Sequence, residues 1–332
     1  MDYLYRFNFR VKKILRDRQI PMKIIERIED IDKPFTNAVI TIGNFDGVHI
    51  GHQSLFHEVI LKAAELKGTS VAMTFDPHPL RVLTNHRHPP LITLNEQKKE
   101  LIAATELDVL IVVPFTREFA AISAEDFITE LLVKRIGMKA IIVGPDYSFG
   151  KNREGDIHLL QALGRQQGFD VILADWINAS QRDEGRISST RIRELVADGD
   201  IEKAQRLLGR YYQIRGTVVD GRKRGGKLLG FPTANLALQD ELCPKAGIYA
   251  VTVEWQGRLY HGVANIGYSP TFDDHLFTVE VHILDFHEDI YGQTIKINFL
   301  KRIRDEIKFD SLASLSDQIR QDITVARNLF EN

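Results

Sequence analysis

The chain carries a single cysteine, Cys243, among its 332 residues. One thiol excludes an intramolecular disulfide, and no Cys or His stands around it at zinc-ligand spacing. A reducing, cytoplasmic setting is the expectation. Long apolar runs are also missing: the longest, at 109–115 and 140–143, are strand-sized, whereas a membrane helix needs about 20 apolar residues. Neither sign of charge dominates, since 43 basic residues face 45 acidic ones for a formal net charge of -2. No overall field draws the chain to nucleic acid or a membrane surface, so any anion site must be local. Residues 1–20 hold Arg6, Arg10, Lys12, Lys13, Arg16 and Arg18 without an apolar stretch, unlike a secretory signal.

What is present describes an ordinary soluble chain. Its 44% hydrophobic and 27% charged residues exclude collagen-like, low-complexity and largely disordered classes. A length of 332 is more than twice the roughly 150 residues usual for one domain, which predicts two. Met22 opens a natural domain start, so residues 1–21 read as a dispensable extension. No internal repeat is visible.

From residue 39 short apolar strands alternate with helical stretches, the grammar of a doubly wound parallel sheet. Strands are predicted at 39–42, 70–75, 109–113, 140–143 and 171–174. Helices are predicted at 51–66, 95–104, 124–136, 157–167, 189–197 and 201–208. In the first helix Leu55, Val59, Ile60, Ala63 and Leu66 recur at threes and fours, giving one buried face. After Arg210 the grammar changes to short strands at 212–219, 247–255, 258–265, 277–283 and 294–299. No helices separate them, which predicts a small antiparallel barrel or sandwich. A last helix, 312–330, is expected to dock on it, and the boundary falls near Gly209.

Gly43-Asn-Phe-Asp-Gly-Val-His-Ile-Gly-His52 joins a strand to a helix start, where unpaired N–H groups and the helix dipole favour an anion. Gly43, Gly47 and Gly51 permit close backbone approach to a ligand. His49 and His52 can set two imidazoles beside a phosphate; the pair could equally be metal ligands or plain surface residues. Three further segments belong at the carboxyl ends of the predicted strands or at a helix start. They are Thr74-Phe-Asp-Pro-His-Pro79, Gly144-Pro-Asp-Tyr-Ser-Phe-Gly150 and Arg186-Ile-Ser-Ser-Thr-Arg-Ile-Arg193. In the last, Ser189 and Thr190 read either as helix caps or, between Arg186 and Arg191, as part of a phosphate loop. In the barrel region Gly221-Arg-Lys-Arg-Gly-Gly-Lys-Leu-Leu-Gly-Phe-Pro-Thr-Ala-Asn235 is glycine-rich and basic. It suits wrapping a polyphosphate, or is a flexible hairpin. Thr233 and Asn235 alternate in an extended stretch and so project from one face, two neutral oxygens for a hydrated magnesium. Glu280 is the one acidic residue in the largely apolar strand 277–283, a candidate base if it faces a cleft.

His49-Ile-Gly-His52 resembles the His-x-Gly-His signature of the nucleotidyltransferase superfamily, which also occurs in class I aminoacyl-tRNA synthetases. Gly230-Phe-Pro-Thr-Ala-Asn235 looks like the riboflavin kinase signature. It is followed in that family's order by Pro244-Lys-Ala-Gly-Ile-Tyr249, Asn265-Ile-Gly-Tyr-Ser-Pro-Thr-Phe272, Glu280-Val-His-Ile-Leu-Asp-Phe286 and Tyr291-Gly292. From residue 22 to about 330 the chain resembles the bacterial bifunctional riboflavin kinase and FAD synthetase. It departs in a Gly-rich loop one residue longer before Leu229, in Gly226-Lys227 where Gly-Arg is common, and in Pro145 and Tyr147.

The resemblance implies an α/β, Rossmann-like nucleotidyltransferase domain with a parallel sheet at 22–208, then a small antiparallel β-barrel riboflavin kinase domain with a C-terminal helix at 209–332. It implies His49, His52 and Glu280 as catalytic residues. The adenylyltransferase ATP site would hold Gly43, Asn44, Phe45, Asp46, Gly51, Asp146, Arg186, Ser189, Thr190 and Arg191, with Phe75, Asp76 and Phe149 on the flavin. The kinase ATP site would hold Gly221, Lys227, Gly230, Pro232, Thr233 and Asn235, with Mg2+ on Thr233 and Asn235. ATP, riboflavin, FMN and FAD are the implied small-molecule partners of a monomer or weak homo-oligomer, with no nucleic acid and no membrane. A rival reading is an RNA-binding or tRNA-aminoacylating protein, since the His-x-Gly-His signature is shared and a small barrel can bind RNA. The near-neutral charge opposes it.

Overall fold

The computed structural model describes residues 21–84, 88–175, 186–220, 230–268 and 277–331. The expectations for residues 1–20, for Gly221 and Lys227 and for the 269–272 end of the Asn265 motif lie outside these residues. Contacts divide the described chain into two compact units. One runs to Pro89 and resumes from Leu94 to Ile187; the other takes Pro90–Thr93 and continues from Ser188.

Strands of the first unit are rich in Val and Ile, and the four central ones are buried on both faces, the pattern of a covered parallel sheet. They are β1 (Lys23–Ile25), β2 (Ala38–Ile42), β3 (Ser70–Asp76), β4 (Val109–Pro114), β5 (Met138–Val143) and β6 (Asp170–Leu173), in the spatial order β1-β4-β3-β2-β5-β6. Every pairing is parallel. Helices α1 (Ile50–Glu65) and α2 (Asn95–Ala103) contribute Phe56, Val59, Ile60, Ala63 and Ile102 to the core on one face. Helix α3 (Ala124–Asp126), continued as a π-helix over Phe127–Ile136, and α4 (Ile157–Gln167) contribute Phe127, Leu132, Leu160 and Leu163 to the other. After β2 the chain steps to one side for β3 and β4 and then crosses to the other for β5. The carboxyl ends of β2 and β5 therefore flank a switch point, where such sheets open their ligand crevice.

In the second unit β7 (Tyr212–Val219), β8 (Ala234–Ala237), β9 (Gly247–Trp255), β10 (Arg258–Tyr268), β11 (Phe277–Ile283) and β12 (Thr294–Arg304) close into an antiparallel barrel ordered β10-β11-β8-β7-β12-β9. Alternation decides the lining: Ile214, Tyr249, Val251, Ala264, Ile266, Val281, Ile297 and Phe299 are wholly buried. Helices α5 (Ser189–Ala197), α6 (Ile201–Leu208) and α7 (Leu312–Glu331) complete this unit. Of barrel and sandwich, the barrel forms. β1, three residues long, and β8, with Pro232 just upstream, escaped the sequence pattern. β12 runs past Phe299 through register shifts at Phe299/Lys301 and Arg302/Arg304, where strict alternation is lost. No helix among the described residues is long and apolar enough to cross a membrane.

Candidate functional site

Residues 43–52 run from the end of β2 into α1. His49 is the N-cap of α1 and is buried, and its Nδ1 accepts the backbone N–H of His52 at 3.3 Å. With that lone pair used, neutral His49 carries its proton on Nε2. The His49 and His52 rings stack at 3.6 Å between centroids with 17° between planes. Gly51 makes this possible: a Cβ there would stand 3.1 Å from both Cε1 and Nδ1 of the His49 ring. Gly43 has a similar reason, since a Cβ would meet the Phe45 ring at 2.8 Å. Phe45 in turn meets His52 edge-on at 5.3 Å and Phe56 at 4.8 Å, so the loop is held by a ring wedged under it. A paired metal role for the histidines loses ground because His49 Nδ1 is already occupied. Among the described residues no group of three or more His, Cys, Asp or Glu is arranged to hold a metal ion.

One residue at this rim went unread in the sequence. Lys98 of α2 is buried, and its Nζ donates to the Asn44 carbonyl at 3.4 Å, Thr74 Oγ1 at 3.3 Å and the Phe75 carbonyl at 3.3 Å. Thr74 Oγ1 also donates to the Asn44 carbonyl at 3.1 Å. Lys98 thus ties the end of β3 to the loop after β2. Burial pulls its ammonium below the ordinary lysine range, and the carboxylates of Asp46 and Asp76 oppose that shift. Sequence offers little signal for it, because a lysine followed by Lys99 on a polar helix reads as solvent-facing.

Phe75 begins an aromatic run across the same rim: Phe75 to Phe119 at 6.0 Å, Phe119 to Phe127 at 6.1 Å, Phe127 to Phe149 at 6.2 Å and Phe149 stacked on Tyr147 at 5.5 Å. Phe149 is buried, and burial pushes the Tyr147 phenol above its usual value. Phe75 is half-buried and Asp76 exposed, so of the expected flavin contacts these two offer surface, while Phe149 backs them from the core. Asp146, after β5, pairs with Arg186 at 3.1 Å, both side chains well exposed. The cap of α5 is Ser188, which accepts from the Arg191 backbone N–H, leaving Ser189 and Thr190 as the first helical residues of the second unit. Arg191 bonds Glu194 at 3.0 Å.

In the barrel, register assembles the second constellation. Glu280 of β11 stands directly opposite Asn235 of β8 on one side and Asn265 of β10 on the other. Directly opposed residues share a face, so three oxygen-bearing side chains form a row across three strands. Their neighbours Ala234, Leu236, Val279, Val281, Ala264 and Ile266 line the interior, which puts the row on the outer face, half-buried. Two residues along β11, His282 Nδ1 lies 2.7 Å from the Pro232 carbonyl and its ring meets Phe231 edge-on at 5.7 Å. This contact anchors the segment immediately before Thr233. Thr233 with Pro232, Val218, Ile283, Phe286 and Tyr291 lines a cleft of about 380 Å³. Phe286 is braced edge-on by Trp255 at 5.5 Å and Tyr260 at 5.0 Å. Gly230, in the left-handed region at φ 78°, leads into this segment.

Comparisons with known proteins cover both constellations. A family model described as FAD synthetase matches residues 31–191, and one described as riboflavin kinase matches 208–330. The curated bifunctional riboflavin kinase/FMN adenylyltransferase of Escherichia coli K12 is 39% identical over 93% of this chain and 98% of its own length. That of Haemophilus influenzae is 36% identical over 94% of this chain and 100% of its own. A solved structure described as a macrolide-efflux protein from Streptococcus pneumoniae superposes with a TM-score of 0.82 at 35% identity, covering 93% of this chain and 99% of that one. Two family models in this order, with curated relatives matched nearly end to end, mean that the chain belongs to the bifunctional riboflavin kinase/FMN adenylyltransferase family.

Proposed function

We propose that the two reactions of this family, riboflavin phosphorylation and FMN adenylylation, are carried by the two constellations separately. In the barrel the terminal ribityl hydroxyl attacks the γ-phosphorus of ATP, its proton passes to the Glu280 carboxylate, and ADP leaves. The observation that carries this half is the register setting Glu280 opposite Asn235, with Thr233 two residues earlier on the rim of the cleft. The cleft is polar along His287, Glu288 and Asp289 and apolar elsewhere, and on its apolar side the Phe286 ring and Pro232 suit a flat heteroaromatic ring. We assign it to the adenine, because the Gly-rich segment meant for the polyphosphate leads straight into its wall. Thr233 and Asn235, with Glu280 alongside, offer only hard oxygen donors, which fit Mg2+. When bound with ATP, that ion supplies charge neutralisation for the transferred phosphoryl group.

At the sheet rim a phosphate oxygen of FMN attacks the α-phosphorus of a second ATP and pyrophosphate leaves. His49 offers Nε2–H, and His52 stacks beside it, so donors are aimed where negative charge accumulates. The amides of Asn44, Phe45, Asp46 and Gly51 cradle the nucleotide at the start of α1, while Gly43, whose N–H is taken by the Met73 carbonyl, allows close backbone approach. Asp146 orients Arg186 toward the phosphates, while Ser189, Thr190 and Arg191 serve the triphosphate on the strength of the resemblance. Phe75 and Asp76, backed by Phe149, take the flavin. The enzyme on this reading is cytoplasmic, acts on small molecules and works as a monomer or weak homo-oligomer.

Separate variants test the division. Glu280→Ala is expected to abolish FMN formation while FAD still forms from supplied FMN, and His52→Ala is expected to do the reverse. Chromatography of incubations with riboflavin or FMN, ATP and magnesium reads both. Equal loss of the two reactions in soluble, folded protein would contradict the two-site reading.

A further inference from the structure

Asn265 occupies the third place in the row on the outer barrel face, directly across from Glu280. Its Oδ1 is buried and has no hydrogen-bond partner among the described residues. On its other side the opposed residue is Ile248 of β9, which has no side-chain donor to offer. A buried acceptor left unpaired costs stability, and an apolar residue of similar shape would avoid that cost. Folding of the barrel therefore gives no use for the Oδ1 acceptor at this position. An incoming donor would.

Riboflavin carries a polyol chain with hydroxyls on consecutive carbons. If Glu280 takes the proton of the terminal hydroxyl, a side chain one strand over, with Cβ about 5 Å away, meets the hydroxyl next to it. We propose that Asn265 is a substrate-binding residue of the kinase site, its Oδ1 accepting a hydrogen bond from the ribityl hydroxyl adjacent to the one phosphorylated. The assignment rests on Glu280 as the base. It extends the site from the two oxygen donors next to ATP to a third that recognises the acceptor substrate.

Asn265→Leu in the full chain removes the acceptor at similar volume. The expected result is a rise of about tenfold in KM for riboflavin, the equivalent of about 1.4 kcal/mol. KM for ATP and FAD formation from supplied FMN should stay as in the wild type. Thermal stability should hold or increase, because an orphaned buried oxygen is gone; a purely structural asparagine would lower it. Riboflavin lacking the hydroxyl next to the terminal one should cost the wild type the same factor and cost Asn265→Leu nothing further.

A wild-type riboflavin KM in folded Asn265→Leu, or equal further loss on the deoxy substrate in both proteins, would overturn the proposal. If the leucine variant does not fold, the wild type decides: an unchanged KM for the deoxy substrate would overturn the proposal. Failure of the base assignment looks different: Glu280→Ala would then still make FMN.

Discussion

Lys98 shows what a single side chain does at the adenylyl-transfer rim. An ammonium has three N–H donors, and here three acceptors take them, two of them backbone carbonyls from different strand ends. On the proposed reading it sets the distance between the loop that takes the nucleotide and the strand that carries the flavin. Lys98→Met keeps the stem and loses the donors, leaving the Asn44 and Phe75 carbonyls to relax apart. FAD formation is expected to fall on the order of 10²-fold, as for a displacement of about 1 Å between reacting groups, with FMN formation unchanged. A pH test follows from the direction of its shift. The folded-state pKa lies below the unfolded one, so between the two values the unfolded chain binds more protons and stability increases with pH. The wild type should therefore gain Tm relative to Lys98→Met as pH climbs from the lowered value toward the ordinary lysine range. A difference flat with pH would mean that Lys98 is not buried as a charge. The histidines beside it were legible because their spacing and the glycine between them are local, and the geometry explains that glycine as room for the His49 ring. Lys98 was not, because only tertiary packing separates it from Lys99, which pairs on the surface with Glu26 and Glu96.

At the scale of elements, β8 is held as much by its approach as by its own pairing. Pro232 has no N–H, and its carbonyl is taken by His282 of β11. A ring nitrogen facing a carbonyl must carry the proton, so Nδ1–H donates and His282 is a positioning residue for Thr233 and Asn235. His282→Leu should raise KM for ATP about tenfold in FMN formation and leave FAD formation alone, while His282→Asn, which can still donate to the carbonyl, should recover part of the loss. Equal effects of Leu and Asn would remove the hydrogen bond from the account. Elements with long, regular patterns were readable: the apolar spacing in α1 and the alternation in β7 and β11 required only local information. The failures have local causes too. β8 has only Ala234 and Leu236 to mark its inner face, and Pro232 argues against a strand just upstream. The 124–136 stretch showed helical spacing, but ten residues do not separate a period of 3.6 from the wider π turn adopted over Phe127–Ile136. Glu280 and Asn235 were named singly; that they oppose each other is a matter of register, which pairs residues distant in sequence.

For the whole molecule the change of sequence grammar and the change of packing fall at different places. Strand grammar begins after Arg210, and the riboflavin kinase model starts at 208. Compactness instead assigns α5, α6 and the segment Pro90–Thr93 to the barrel's unit. In α6 the residues Ile201, Ala204, Leu207 and Leu208 are buried, and the helix packs on β7 and β12. The Pro90–Thr93 segment is stitched in by backbone bonds from Leu91 N–H to the Asp240 carbonyl and from Leu242 N–H to the Leu91 carbonyl, and by Arg193 Nε to the Pro90 carbonyl. A fragment beginning at Ser188 should therefore be more stable than one beginning at Gly209. Each large aliphatic side chain of α6 removed from its buried place costs about 1.5–3 kcal/mol, an amount comparable with the whole stability of a small domain once three are lost. The longer fragment should give a cooperative thermal transition and phosphorylate riboflavin; the shorter should melt at least 10 °C lower or fail to accumulate as folded protein, since about 1 kcal/mol moves Tm by roughly 2–4 °C in a domain approaching 150 residues. Equal Tm values for the two fragments would mean that α5 and α6 are passengers on the barrel, and that its stability begins where its sequence grammar does.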